Sequence, residues 1–241
     1  MSNDPIAGRS VLITGANRGI GQALVEEALR RGASRVYAGM RKPLDHPDER
    51  VTTLPLDVTD EAQIQSAAES VDALDMLINN AGLMLYDDLG DRTVIEQHLA
   101  VNLFGPLATT TAFTPHLIQS QGAVVNISSV AALASVPTNP AYSISKAAAF
   151  SLTQAQRAIL SLQGVRVYAV LAGPVDTEMS KDIPIAKASP ASVAHAIFDG
   201  LAAGDEEIFP DPLSAPLEPG WTSGAIKAIQ RKNAALLTAA R

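Results

Sequence analysis

Cysteine is absent from the 241 residues. This excludes disulfides, thiol nucleophiles and thiolate-ligated zinc. Basic residues are the minority, 18 Lys+Arg against 25 Asp+Glu, giving a formal charge of −7. That balance argues against nucleic acid and anionic membrane partners. No apolar run reaches the ~18 residues of a membrane span. The opening MSNDPIAGRS has no basic flank leading into an apolar stretch, so no secretory signal is expected there. The four histidines, His46, His98, His116 and His195, show no ligand spacing, and no metal site is expected. No G-x-S-x-G elbow occurs, which argues against a hydrolase on an α/β sheet. What remains is a composition with 47% hydrophobic and 18% charged residues. It is that of a folded chain able to bury a substantial core. A cytoplasmic protein is expected.

Short apolar runs alternate with longer segments of helical period. Strands are expected at Ser10–Thr14, Arg35–Gly39, Val51–Leu56, Leu74–Ile78, Ala123–Ile127, Val165–Leu171 and Glu207–Phe209. Helices are expected over 19–31, 60–70, 92–119, 142–163 and 190–203, with Thr59 or Asp60 capping the second. Strands without polar alternation, each followed by a helix, form a parallel sheet covered on both faces. No linker, repeat or low-complexity break interrupts the pattern, so residues 1–241 read as one domain with a core at about 9–210. The prolines of 210–220 predict a loop. A terminal helix is expected from Trp221 to Arg241, with Ile226, Ile229 and Leu236 near one face.

The first strand runs directly into Thr14-Gly-Ala-Asn-Arg-Gly-Ile-Gly21 and a helix. Gly15, Gly19 and Gly21 suit a turn that lets a pyrophosphate approach the backbone, facing the positive end of the helix. Asn17, Arg18 and Ile20 belong to the same turn. The spacing is G-x-x-x-G-x-G rather than G-x-G-x-x-G. A dinucleotide fold selects its cofactor at the end of the second strand, where a carboxylate would hold a ribose 2′-hydroxyl. Here the chain reads Gly39-Met-Arg-Lys42, with no carboxylate before Asp45. Arg41 and Lys42 can pair with a 2′-phosphate, or form a solvated charge pair; Arg18 can reach the same phosphate. NADP(H) is therefore expected over NAD(H). Asp57, followed by Val58, is either an acceptor for an adenine amino group or a turn aspartate. Asn80, Ala81 and Gly82 end the fourth strand, either at the sheet edge where α/β folds bind ligands or as a plain Asn-Gly type turn.

Of the four tyrosines only Tyr142 has a lysine, Lys146, four residues on. On a helix the two share one face. A phenol titrates near ~10, and a nearby ammonium is expected to lower that value, making Tyr142 a proton donor or acceptor at a carbonyl. Ser129 ends the fifth strand thirteen residues earlier and can hold a carbonyl oxygen beside the tyrosine. Asn102 can bind backbone, or a water leading to Lys146; a buried structural amide is the plainer reading.

These residues together resemble the short-chain dehydrogenase/reductase family. The resemblance rests on T-G-x-x-x-G-I-G at 14–21, N-N-A-G at 79–82, N-I-S-S at 126–129, Y-x-x-x-K at 142–146 and G-P-V-D-T at 173–177. It implies a Rossmann-like, doubly wound, seven-stranded parallel sheet of order 3-2-1-4-5-6-7. It further implies Tyr142 as acid/base, Lys146 on the nicotinamide ribose, Ser129 on the carbonyl and Asn102 in a proton relay. Ile20, Asp57, Asn80 and Thr177 would touch cofactor, with Gly173, Pro174 and Val175 contributing beside the carboxamide. The chain departs from the family pattern at Leu171-Ala-Gly-Pro174, at Ala132, and in a short segment between Thr177 and Pro190.

The expected activity is hydride transfer between NADPH and a ketone or aldehyde, or the reverse. A non-catalytic NADP(H)-binding sensor is the competing reading. Leu83, Met84, Leu85, Val130, Leu133, Met179, Ile183 and Ile185 are expected near the pocket. With no Arg or Lys cluster among them, an uncharged apolar substrate is favoured. The helix from Tyr142 is apolar nearly all round, which predicts cover on both sides. The family resemblance implies a homodimer or homotetramer through it and the segment 101–119.

Overall fold

Seven parallel strands are ordered β3-β2-β1-β4-β5-β6-β7 in the computed structural model, which describes residues 5–239. They are β1 (Ser10–Thr14), β2 (Arg35–Met40), β3 (Val51–Pro55), β4 (Met76–Asn79), β5 (Ala123–Ile127), β6 (Arg166–Val170) and β7 (Glu207–Ile208). This is the expected doubly wound sheet. Residues 1–4 of the leader reading and the last two of the expected terminal helix lie outside the described residues.

The pleat explains the continuous apolar strands. Val11, Ile13, Ile78 and Val125 point to one face, where Leu24 and Ala28 of α1 (Gly19–Arg30) and Ile197 and Phe198 of α6 (Pro190–Ala203) complete a core. Leu12, Leu77, Val124 and Val167 point to the other. There Ile64 of α2 (Glu61–Ser70) packs with Phe113 and Leu117, both from the helix that precedes β5. Each fully buried side chain of this size contributes about 1.5–3 kcal/mol. Asp60 is the cap of α2, accepting from Ala62 and Gln63 N–H groups.

The segment 92–119 is not one helix. It divides into α3 (Arg92–Leu99), a single π turn over Ala100–Phe104, and α4 (Gly105–Ser120). Two contacts accompany the break. Asn102 turns inward to bond the Leu83 backbone. Gly105 approaches Val58 so closely that a Cβ would lie 2.9 Å from its Cγ2. After α5 (Pro140–Ser161) and β7, the expected loop contains a 3₁₀ turn at Ala215–Leu217. The expected terminal helix is three pieces: α7 (Glu218–Thr222), α8 (Ala225–Ala234) and α9 (Leu236–Ala239). Gly224, in extended backbone, separates the first two. Ile226, Ile229 and Leu236 are exposed rather than turned to the core. The inward contact of α8 is instead Lys227, buried, with its amine 2.5 Å from Glu207 and 2.6 Å from Glu206. No helix among the described residues is long and apolar enough to cross a membrane.

Candidate active site

The sheet order reverses between β1 and β4, and a crevice opens at their carboxyl ends, as parallel sheets require at such a switch point. Four hydrogen bonds fasten the turn after β1 to the end of β4. Thr14 Oγ1 accepts the N–H groups of Asn80 and Ala81, each at 3.0 Å. Asn80 Nδ2 donates to the Thr14 carbonyl at 2.9 Å and the Gly15 carbonyl at 3.2 Å. The Asn80 amide nitrogen is thus spent on backbone. Gly15 takes φ +66°, and a Cβ there would sit 2.9 Å from Ala81 Cα. A Cβ on Gly21 would lie 2.2 Å from the Gly15 oxygen. Only glycine permits this turn at either position.

The first turn of α1 has no side-chain cap: Arg18 occupies the cap position in extended backbone. Its N–H groups and the positive end of the helix dipole therefore remain to meet an anion. The cleft in front of this turn has a volume of about 1660 Å³. That exceeds the ~300–1,000 Å³ of pockets for drug-sized ligands. Gly15, Asn17, Arg18, Gly19, Ile20 and Gly21 line it, with Arg41, Lys42, Asp57, Val58, Asn80, Ala81 and Gly82. Ser129, Tyr142, Lys146, Gly173, Pro174, Val175 and Thr177 do too. One Asp57 oxygen accepts both the Thr59 N–H at 3.0 Å and its hydroxyl at 2.8 Å, making a turn aspartate that also faces the cleft.

Helix α5 carries Tyr142 and Lys146 one turn apart on the cleft wall. Its start is held from outside: Asn139 gives no side-chain cap, and the Asp87 carboxylate accepts the Ala141 N–H at 3.1 Å. Ser129 begins a 3₁₀ turn (Val130–Ala132) just past β5; its hydroxyl accepts the Ala131 N–H at 3.2 Å, and the residue lines the same cleft as Tyr142. Burial holds the Tyr142 phenol above its usual value, with the Ser129 side chain acting the other way. The expected lowering by lysine is not what the geometry gives. The Lys146 amine sits 5.7 Å from the Tyr142 ring centroid and donates to the Ile127 carbonyl at 2.8 Å. Burial lowers Lys146 itself to about 8, weakening its claim to a full charge.

Asn102 stands behind the wall rather than in it. Its Oδ1 accepts the Leu83 N–H at 2.8 Å; its Nδ2 donates to the Leu83 carbonyl and the Ser145 hydroxyl, both at 2.9 Å. A Cβ on Gly82 would lie 3.5 Å from Asn102 Oδ1 and 3.9 Å from Lys146 Nζ, so both groups converge on that glycine.

Several contributors escaped sequence reasoning. His98 is fully buried, accepting the Leu85 N–H on Nε2 at 3.0 Å, with Nδ1 2.7 Å from the Val94 carbonyl. Its ring meets that of Tyr142 edge-on, centroids 6.3 Å apart. Asp87 and Asp211 hold backbone from loops, and Tyr86, Val136 and Leu213 line the cleft. Side-chain-to-loop contacts of this kind leave no periodic signal. Among the expected pocket residues, Leu83, Met84, Val130, Met179, Ile183 and Ile185 line the cleft, whereas Leu85 and Leu133 do not. The Leu85 backbone is drawn to His98, and Leu133 packs against the cluster of Phe150, Ala169, Leu171 and Phe209. The short segment after Thr177 forms one 3₁₀ turn and is pinned by a Val175–Ala188 bridge.

Known proteins share this arrangement. Residues 9–188 match the family model for short chain dehydrogenases. A Penicillium crustosum short-chain dehydrogenase, PC-15, is 40% identical over 185 residues, which are 70% of this chain and 66% of that protein's length. An uncharacterized oxidoreductase of Staphylococcus saprophyticus is 32% identical over 79% of this chain and 89% of its own. The crystal structure of a short chain dehydrogenase from Burkholderia cenocepacia, in complex with NADP, superposes with a TM-score of 0.86 at 35% identity. It covers 94% of this chain and 98% of that one. The sheet order, the glycine turn and a family model that spans most of the chain lead to one conclusion: this protein belongs to the short-chain dehydrogenase/reductase family of oxidoreductases.

Proposed function

We propose that this chain is an NADP(H)-dependent oxidoreductase that reduces a ketone or aldehyde, or oxidises the matching alcohol, within one domain. The observation that carries the reading is that Ser129, Tyr142 and Lys146 line the cleft that the glycine turn opens, with the Lys146 amine 5.7 Å from the Tyr142 ring centroid.

The residues fit a dinucleotide phosphate. The uncapped start of α1 and its glycine cradle suit the pyrophosphate. Exposed Arg41 and Lys42, at the end of β2, suit a 2′-phosphate. NADP in the related Burkholderia structure supports the same preference. The bound nicotinamide would supply hydride to the carbonyl carbon. This chain's part is positioning and proton control. Because burial raises the Tyr142 phenol, it stays protonated at neutral pH and can donate to an oxygen gaining charge. Ser129 orients that oxygen. Lys146, next to Gly82 and held by Ile127, offers a donor to a ribose hydroxyl, with Asn102 behind it. Gly173, Pro174, Val175 and Thr177 frame the nicotinamide end.

Leu83, Met84, Val130 and Ile185 line the cleft together with Tyr142, which supports an uncharged apolar substrate. Phe104, Leu107, Ile144 and Ile159 are exposed on the π turn, α4 and α5, in support of a homodimer or homotetramer through that face. A cysteine-free chain accords with the cytoplasm. The test is NADPH and NADH oxidation against a panel of aliphatic and aryl ketones and aldehydes. Turnover with NADPH supports the enzyme; tight NADPH binding with no turnover across the panel supports a sensor instead. Sedimentation tests the assembly: a Phe104→Asp, Ile159→Asp double variant should run as a smaller species, and a parent already monomeric contradicts the interface.

A further inference from the structure

Beyond β7 the chain returns to the cleft, and one buried carboxylate fixes how it does so. Asp211 Oδ2 accepts the Gly173 N–H at 2.7 Å and the Ser214 hydroxyl at 2.7 Å. Its Oδ1 accepts the Leu213 and Ser214 N–H groups, both at 3.0 Å. The carboxylate thus ties the turn after β6 to the segment that carries Leu213. The approach is close: a Cβ at Gly173 would lie 2.6 Å from Asp211 Oδ1 and 3.2 Å from Leu213 Cβ. Glycine at 173 is what lets the two segments meet. Leu213 is 46% exposed and lines the cleft, a large apolar side chain left unburied where Gly173 frames the site.

We propose that Leu213, held by Asp211, is a specificity-determining residue that bounds the substrate end of the cleft and limits the bulk of the carbonyl substituent admitted. The inference rests on the oxidoreductase reading above. It gives a physical role to the short segment after Thr177. With only one 3₁₀ turn there, the C-terminal segment supplies wall on the side of Gly173. Asp211 acts as a positioning residue, through Leu213 and Gly173, and touches no reacting atom.

The experiment compares kcat/KM for a small aliphatic ketone and a bulky aryl ketone in the parent, Leu213→Ala, Leu213→Trp and Asp211→Asn, with NADPH affinity and melting temperature measured alongside. Truncation at a half-exposed position leaves the core intact. Leu213→Ala should shift the ratio toward the bulky ketone by at least about tenfold, the lower end of what one methylene is worth in an apolar pocket. Leu213→Trp should shift it the opposite way, and both should keep NADPH affinity and melting temperature near the parent values. Asp211→Asn places an amide donor against N–H donors, so it should move the ratio in the direction of Leu213→Ala. Ratios unchanged in the Leu213 variants of an active enzyme overturn this proposal alone. A parent inactive toward every carbonyl compound overturns the oxidoreductase reading and this inference with it.

Discussion

Asn102 grips Leu83 by both of its backbone groups, accepting its N–H at 2.8 Å and donating to its carbonyl at 2.9 Å. The side chain acts as a strand would, pairing the segment just past β4 where no strand is available. The π turn is what presents it: a straight continuation of α3 into α4 would alter its angle of approach. Removing the amide leaves the half-buried N–H and carbonyl of Leu83 without partners, each costing at most about 1–3 kcal/mol. Asn102→Ala should therefore lower unfolding free energy by about 2–4 kcal/mol in urea titration, and loosen the cleft wall at Leu83 and Met84. A variant as stable as the parent would contradict the account of that wall.

Cofactor choice is predicted to reside at the end of β2. A charge-assisted hydrogen bond contributes about 1.5–3 kcal/mol, or roughly 10- to 150-fold in affinity. Arg41→Ala with Lys42→Ala should weaken NADPH binding by at least about tenfold while leaving NADH binding within about twofold. Binding is read by titration of nicotinamide fluorescence. Equal losses for both cofactors would assign these residues to another role.

Lys146 makes stability depend on pH in a definite direction. Burial lowers its pKa from 10.5 to about 8. Between those values the unfolded chain holds the extra proton, so unfolding free energy rises with pH across that window. The gain is absent below about 8, where folding must bury the charge. In the cofactor-free protein, the stability of the parent relative to Lys146→Met should grow from pH 7.5 to 9.5. Parallel profiles for the two proteins would mean that the amine is not desolvated in the folded state. Stopping at pH 9.5 avoids the Tyr142 phenol, whose raised pKa acts with opposite sign above about 10.

The parts of this molecule that repeat were legible in the sequence, and the parts that bend were not. Val11-Leu-Ile13 announces a strand because it is buried on both faces, and the glycines at 15, 19 and 21 announce the turn because nothing else fits. The pair Tyr142 and Lys146 could be placed on one helix face from spacing alone. The break at Ala100–Phe104 had no such signal, since it depends on Leu83 and Val58 arriving from elsewhere in the chain. In the tail the helical spacing of Ile226 and Ile229 gave a helix, but not its breaks or its buried anchor, Lys227, which is decided by Glu207 on β7. The direction of the Tyr142 shift also required coordinates. Spacing supplies a nearby amine, but only geometry reveals that the amine faces the Ile127 carbonyl and that burial dominates.

The central claim is that Tyr142 gives its proton to the substrate oxygen. It is tested most directly by Tyr142→Phe, assayed for NADPH affinity and for turnover of the best ketone found for the parent. Removing the hydroxyl leaves the ring's packing against His98 and the rest of the cleft lining in place. The account predicts NADPH affinity within about threefold of the parent and kcat reduced by about 10²–10⁴. A phenylalanine variant with near-parental kcat would contradict it.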